Sequence, residues 1–253
     1  WVLVKTNTAM GRRMIRSWVL HPLLSPSEIK RRQGAVNEFY INAVLTGDMG
    51  DTLRQIGDIE RLVGKIVYGT ANGRDMRTMA QSLSHIPEVI RLLSTCRSSL
   101  LKELYSMDPL ADIFRMIDEA VCDEPPFSVR EGGIMRPGYN ERVDYLRGLL
   151  DNSSAALAGI EQRERERTGK KLKVGYNRVF GYYIEIPRSM SEDVPEDYIR
   201  KQTLTNCERF ITQELKELET ELLNAKDSLA DLEYRLFSEL REKISGEVLR
   251  IQD

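Results

Sequence analysis

Four basic residues and no acidic ones fall between Gly169 and Ile184: Lys170, Lys171, Lys173 and Arg178. Arg200, Lys201 and Arg209 follow a little further on. The chain as a whole carries 37 Lys and Arg against 39 Asp and Glu, a formal charge of −2. The cations are therefore a local feature, and what a local cluster of cations does is hold an anion. Thr205-Asn206 reads as the start of a long helix, with Glu208 three residues after Thr205 in capping-box spacing. A helix start presents free N–H groups and the positive end of the dipole, a ready phosphate site. Plainer roles stand beside this one. Thr205 and Asn206 serve as caps, Lys170 and Lys171 complement a helix C-terminus, and Tyr176, Tyr182 and Tyr183 pack rather than stack on bases. The sign-alternating run from Arg163 to Lys171 reads as a solvated face.

Catalytic chemistry finds little support. The two histidines, His21 and His85, are isolated, and each reads as structural. Gly64-Lys65 lacks the upstream glycine and following hydroxyl of a phosphate loop. Gly132-Gly133 is not a dinucleotide fingerprint. No carboxylates show metal-ligand spacing, and Cys96, Cys122 and Cys207 are odd in number and far apart. This predicts no metal, no disulfide framework and a reducing, cytoplasmic setting. No apolar run reaches the roughly 18 residues of a membrane span. The chain opens on "WVLVKTNTAM", without an initiator Met, and reads as a piece of a longer protein rather than an enzyme in itself.

These residues need elements to carry them. The first ~120 residues read as a helical bundle, with Met10, Met14, Ile15 and Trp18 on one helical face and Ile59, Leu62, Val63 and Ile66 on another. A second helix starts near Ser25–Ser27, and Asn72 with Asp75 caps a later one. The Pro- and Gly-rich stretch "DEPPFSVREGGIMRPGY" reads as a loop with room for a short strand. From Asn140, Val143, Leu146, Leu150, Ser153, Leu157 and Ile160 recur at steps of three and four, a coiled-coil-like seam ending at Gly169 and about 42 Å long. A second seam runs through Ile211, Leu215, Leu218, Leu222, Ala225, Leu229, Leu232 and Leu236, in a helix read as 206–245 and about 60 Å long. Two such rods pack antiparallel. The insert between them alternates Phe180, Tyr182, Ile184 and Ile186 against Val179, Gly181, Tyr183 and Glu185, with a turn at Asn177-Arg178 and a third strand in "YIRKQTL". The fold class is thus mainly α: a helical bundle with two long antiparallel helices and a small antiparallel β insert at their far end. The expected domains are 1–168, 169–205 and 206–253.

The blocks "TAMGRRMIRSWVLHPLL", "DIERLVGKIVYGTANGRDM", "REGGIMRPGYNERVDYLR", "RERERTGKKLKVGYNRVFGYYIEI" and "VPEDYIRKQTLTNCERFITQELKELE" together resemble the MutS family of DNA mismatch repair proteins. The resemblance implies a core with two lever helices and an inserted clamp that closes on the double-stranded DNA backbone without reading sequence. It maps backbone contacts onto Asn177, Arg178, Thr205 and Asn206, with Arg200, Lys201, Arg209 and Lys173 as further candidates. It implies no cofactor in this fragment, and ATP and Mg for a parent that is a DNA-dependent ATPase. It also implies a homodimer through other domains, MutL as a downstream partner, no membrane, and a cytoplasmic, nucleoid-associated bacterial or archaeal setting. The competing expectation is a helical scaffold with a coiled-coil arm and a protein-binding β tip.

Overall fold

The computed structural model describes residues 5–252, so the expected outer domain limits at 1 and 253 lie outside the described residues. The chain divides into two compact units, Trp1–Tyr139 with Glu233–Asp253, and Asn140–Leu232.

The first unit is helical: α1 Ala9–Leu20, α2 Pro26–Ile41, α3 Ala43–Arg54, α4 Ile59–Val67, α5 Gly73–Ser84, α6 Ile86–Leu93, α7 Ser99–Tyr105 and α8 Ala111–Ala120. It also takes the C-terminal part of a long helix, α11 Gln213–Gly246, and α12 Val248–Gln252. Short polar side chains start several helices by accepting the free N–H groups. Thr8, Asn42 and Asp58 do so, and Asn72 and Asp75 cap α5 reciprocally. One apolar cluster joins Met76, Met79, Leu83, Ile113, Ile117 and Ile134 to Phe237, Leu240 and Ile244 of α11. A second gathers Leu45, Met49, Ile56, Leu92, Leu93 and Leu101. Helix α1 buries none of its side chains; Met14 and Trp18 stay exposed, and the Arg32 guanidinium covers the Trp18 ring at 3.6 Å. The loop read between α8 and the second unit contains one bridge, Val121 with Met135.

The second unit holds α9 Glu141–Asp151, α10 Ser153–Thr168, four strands and the first part of α11. The single rod expected over 140–168 is interrupted at Asn152, inside the run Asp151-Asn152-Ser153-Ser154. The break is slight: Asn152 keeps helical dihedrals of φ −78 and ψ −3, its N–H still donates to the Gly148 carbonyl at 3.0 Å, and its carbonyl accepts from the Ala156 N–H at 3.1 Å. Gly169 ends α10 at φ +67, as the sequence implies.

The strands are β1 Lys173–Asn177, β2 Gly181–Pro187, β3 Ile199–Thr203 and β4 Cys207–Ile211, all antiparallel, in the order β1-β2-β4-β3. The fourth strand corrects two expectations. It lies beyond the 169–205 insert, and it occupies what was read as the start of the returning helix. Thr205-Asn206 is a turn between strands, and α11 starts at Gln213 behind Thr212, whose Oγ1 accepts from the Leu215 N–H at 3.3 Å. Pairing with β2 on one side and β3 on the other satisfies the 207–211 backbone, which outweighs its helix-like composition. Pairing slips by one residue between Arg200 and Gln202, leaving Lys201 in a bulge on the outer strand.

One face of the sheet is buried. Leu172, Ile184, Ile186, Tyr198 and Phe210 form a core with Ile160 of α10 and Leu215 of α11, flanked by Leu157 and Leu218. The apolar stripes of α10 and α11 thus close on the sheet as well as following the helix pattern. Beyond Leu232 the buried line of α11 becomes Glu233, Phe237, Leu240 and Ile244, while Leu229, Leu232 and Leu236 are half-buried. A 3.6-residue turn drifts against a 3.5-residue repeat in this way.

At the start of β3, the Tyr198 hydroxyl donates to the buried Glu164 carboxylate at 2.6 Å, and Arg167 joins Glu164 at 3.3 Å. Burial, and then the Glu164 hydrogen bond, push the Tyr198 pKa up. Arg167 also holds Asp197. Tyr198→Phe removes a donor from a carboxylate that stays buried, and should lower the stability of the unit by about 1–3 kcal/mol, read as a shift in urea midpoint at unchanged m. At the same end of the sheet, Gly181 has φ +80, and a Cβ there would collide with the Glu219 carboxylate. Gly181→Ala should cost at least the ~1–2 kcal/mol of a left-handed L residue. Adding Glu219→Ala should recover only the steric part.

Candidate nucleic-acid interface

The β1–β2 hairpin closes through a three-residue turn, Arg178–Phe180, one position later than the Asn177-Arg178 turn read from sequence. Asn177 faces Gly181 across the ladder, and its Oδ1 accepts from the Val179 N–H at 2.8 Å, an Asx-type closure. Arg178 is exposed, and its side chain makes no ion pair or hydrogen bond among the described residues. Strand β1 runs back along α10: the Val174 N–H donates to Glu161 at 2.8 Å, and Tyr176 lines a cleft with Ser154, Leu157 and Ala158. The Arg178 turn therefore points back along the helix instead of away from it.

Thr205 and Asn206 belong to the β3–β4 turn. Because β2 and β4 are antiparallel neighbours, and each begins at one of these turns, the two turns sit at opposite ends of the sheet. The six steps of β2 from Gly181 to Pro187 separate the ends by about 20 Å. The structure does not bring Asn177 and Arg178 together with Thr205 and Asn206. It instead joins Asn206 to Arg188, whose N–H donates to the Asn206 carbonyl at 3.1 Å. Lys170 is at the same end, with Nζ on the Met190 carbonyl at 2.7 Å. Arg188 is exposed with a side chain unpaired among the described residues, and sequence reading passed it over. The signal available was a cation placed directly after Pro187, where the strand must end.

The remaining candidates separate into spent and free charges. Arg209 lies mid-sheet, with Nε on Glu185 at 2.9 Å, Nη1 on Gln202 at 3.0 Å and its guanidinium over Tyr183 at 4.5 Å. The Glu185 carboxylate raises its pKa further, and its charge is already answered. Arg200 pairs with the buried Glu208 at 3.1 Å and lies over Phe210; the contact is an ion pair rather than an aligned hydrogen bond. Glu208 is thus a strand residue partnering Arg200, not the third residue of a helix cap. Lys173 and Lys201 are exposed and unpaired among the described residues. Tyr183 is covered by Arg209 on one side and packs on Phe180 at 5.6 Å, so it offers no free stacking face. Tyr176 meets Tyr182 edge-on at 5.1 Å.

A groove of about 810 Å³ opens between α9 and α11, lined by Tyr145, Leu146, Leu149 and Leu223 among others, and contains none of these candidates. Among the described residues no three His, Cys, Asp or Glu are arranged to hold a metal ion, and no helix is long and apolar enough to cross a membrane.

The family model described as MutS domain III matches residues 1–253. A DNA mismatch repair protein MutS from Lachnoclostridium phytofermentans is 50% identical over 100% of this chain and 27% of its own length. Those of Pelotomaculum thermopropionicum and Acetivibrio thermocellus are 48% and 45% identical, over 99% and 100% of this chain and 29% of their own lengths. The chain therefore spans less than a third of these relatives. A match along every residue of the domain model, with relatives of this identity, shows that the chain belongs to the MutS family of mismatch repair proteins, as its domain III region.

Proposed function

We propose that the second unit grips the phosphate backbone of duplex DNA without reading its sequence, as the clamp of a mismatch repair protein. The observation that carries this is the sorting of charge on the sheet. Interior arginines are neutralised by Glu185 and Glu208, while Arg178 at one end and Arg188 at the other are exposed and unpaired among the described residues. Free cations at fixed positions suit phosphates, which position a protein on a duplex and carry no sequence information directly. The roughly 20 Å between the two turns exceeds the ~12 Å width of the major groove. Engaging both ends therefore lays the open face of the sheet across a groove, each turn on its own phosphate row. Asn177, Thr205 and Asn206 supply neutral hydrogen-bonding groups at these ends, and Lys170, Lys173 and Lys201 add charge.

In this reading α11, which contributes residues to both units, acts as a lever helix, and the clamp's state is coupled to an ATPase elsewhere in the parent protein. ATP and magnesium binding, dimerisation and the meeting with MutL belong to that parent. The competing reading, a scaffold with a protein-binding β tip, makes the unpaired arginines incidental.

The test is duplex binding by the full-length protein across a salt series. Arg178→Ala and Arg188→Ala should each weaken matched and mismatched duplex alike. Each should flatten the dependence of log affinity on log salt by about 0.9 per phosphate lost, and the double variant by about twice that. A loss confined to mismatched DNA, or unchanged slopes in both single variants, would overturn the grip. Undiminished binding by Arg178→Glu would favour the scaffold.

A further inference from the structure

Glu233 is the one charged side chain among the described residues with 0% exposure. It sits on the buried line of α11, at spacings of four, three and four with Phe237, Leu240 and Ile244, each of which is 0–1% exposed. A carboxylate thus occupies a position where the stripe calls for an aliphatic residue. Its Oε2 accepts the Ile134 N–H at 3.1 Å, from a residue 99 positions away in sequence. Ile134 and Met135 are themselves buried, and the segment is held by the Val121–Met135 bridge. Next to it, the Arg130 guanidinium lies over the Tyr234 ring at 5.1 Å.

Burying a carboxylate carries a desolvation cost that a well-packed apolar residue would avoid. What it supplies in return is direction. An apolar stripe repeating at three and four residues looks much the same after sliding by one turn, about 5.4 Å, because hydrophobic contact is not directional. After such a slide Leu229 would enter the place of Glu233, and Glu233 the place of Phe237. The aliphatic contacts would largely re-form, but the carboxylate would leave the Ile134 N–H and remain buried. The surface contacts of α11 discriminate less. Arg241 reaches the Gly69 carbonyl at 2.6 Å on a long, flexible side chain able to re-pair.

The geometry points to Glu233 as a positioning residue that pins the axial register of α11 within the first unit. It does so as a single polar group at a core position fixes the register of a coiled coil. This holds whether or not the second unit touches DNA.

The experiment uses full-length protein with Cys122 and Cys207 replaced by Ser. Spin labels are placed at exposed Glu242 of α11 and, in turn, at exposed Arg61 and Lys102. Wild type and Glu233→Gln, which keeps an acceptor oxygen, should each give one narrow distance in both pairs. Glu233→Leu and Glu233→Met should fold with thermal midpoints near or above wild type, yet show a second population displaced by about 5 Å in at least one pair. A single unchanged distance in both apolar variants would overturn the proposal. So would the failure of both to fold, because the stripe must then depend on the carboxylate for stability and not for register. Two populations in Glu233→Gln would overturn the role of the acceptor oxygen.

Discussion

A sheet of four strands, each five to seven residues long, cannot stand in water with both faces wet. Its hold depends on one face being covered, and Phe210, Ile184 and Ile186 are covered by Ile160 and Leu215 from two helices that are distant in sequence. That burial decides much of the rest. Side chains alternate across a strand, so fixing Ile184 and Phe210 inward fixes Glu185 and Arg209 outward, opposite one another. The outward row then neutralises itself. The unpaired arginines, Arg178 and Arg188, stand where the ladder ends, and Lys201 is left free at the bulge of the outer strand.

The parts of this architecture that depend on neighbours in sequence were legible before the structure. The Asn72–Asp75 box, the Gly169 terminus and the alternation over 182–186 are local, and each stands where residue chemistry puts it, whereas Val179 and Phe180, read as strand, belong to the turn. Strand β4 was not legible as a strand. "NCERFITQELKELE" passes from strand to helix with no Gly or Pro between, and its strand state comes from partners at 184–187 and 199–203. Contacts that far off leave no periodic trace over five residues.

The candidate site was readable as a composition and not as an arrangement. A surplus of cations in the insert is visible in the sequence. Which of them are available is set by cross-strand pairs such as Arg209 with Glu185, 24 residues apart, and by Arg200 with Glu208. Those pairings left Arg178 and promoted Arg188, and they placed Thr205-Asn206 at the opposite end from Asn177. Glu233 shows the same limit from the other side. In a helix as acidic as α11 one more glutamate looks like solvent-facing charge, and its burial and the Ile134 amide mark it out.

Strand β3 has one long side without a partner, which is the hazard of any open sheet. The one-residue slip at Lys201 breaks the even spacing of donors and acceptors along that side, and an ammonium stands at the break. A second strand laid against that side would find no regular ladder to extend, so this rim is a poor template for edge-to-edge pairing.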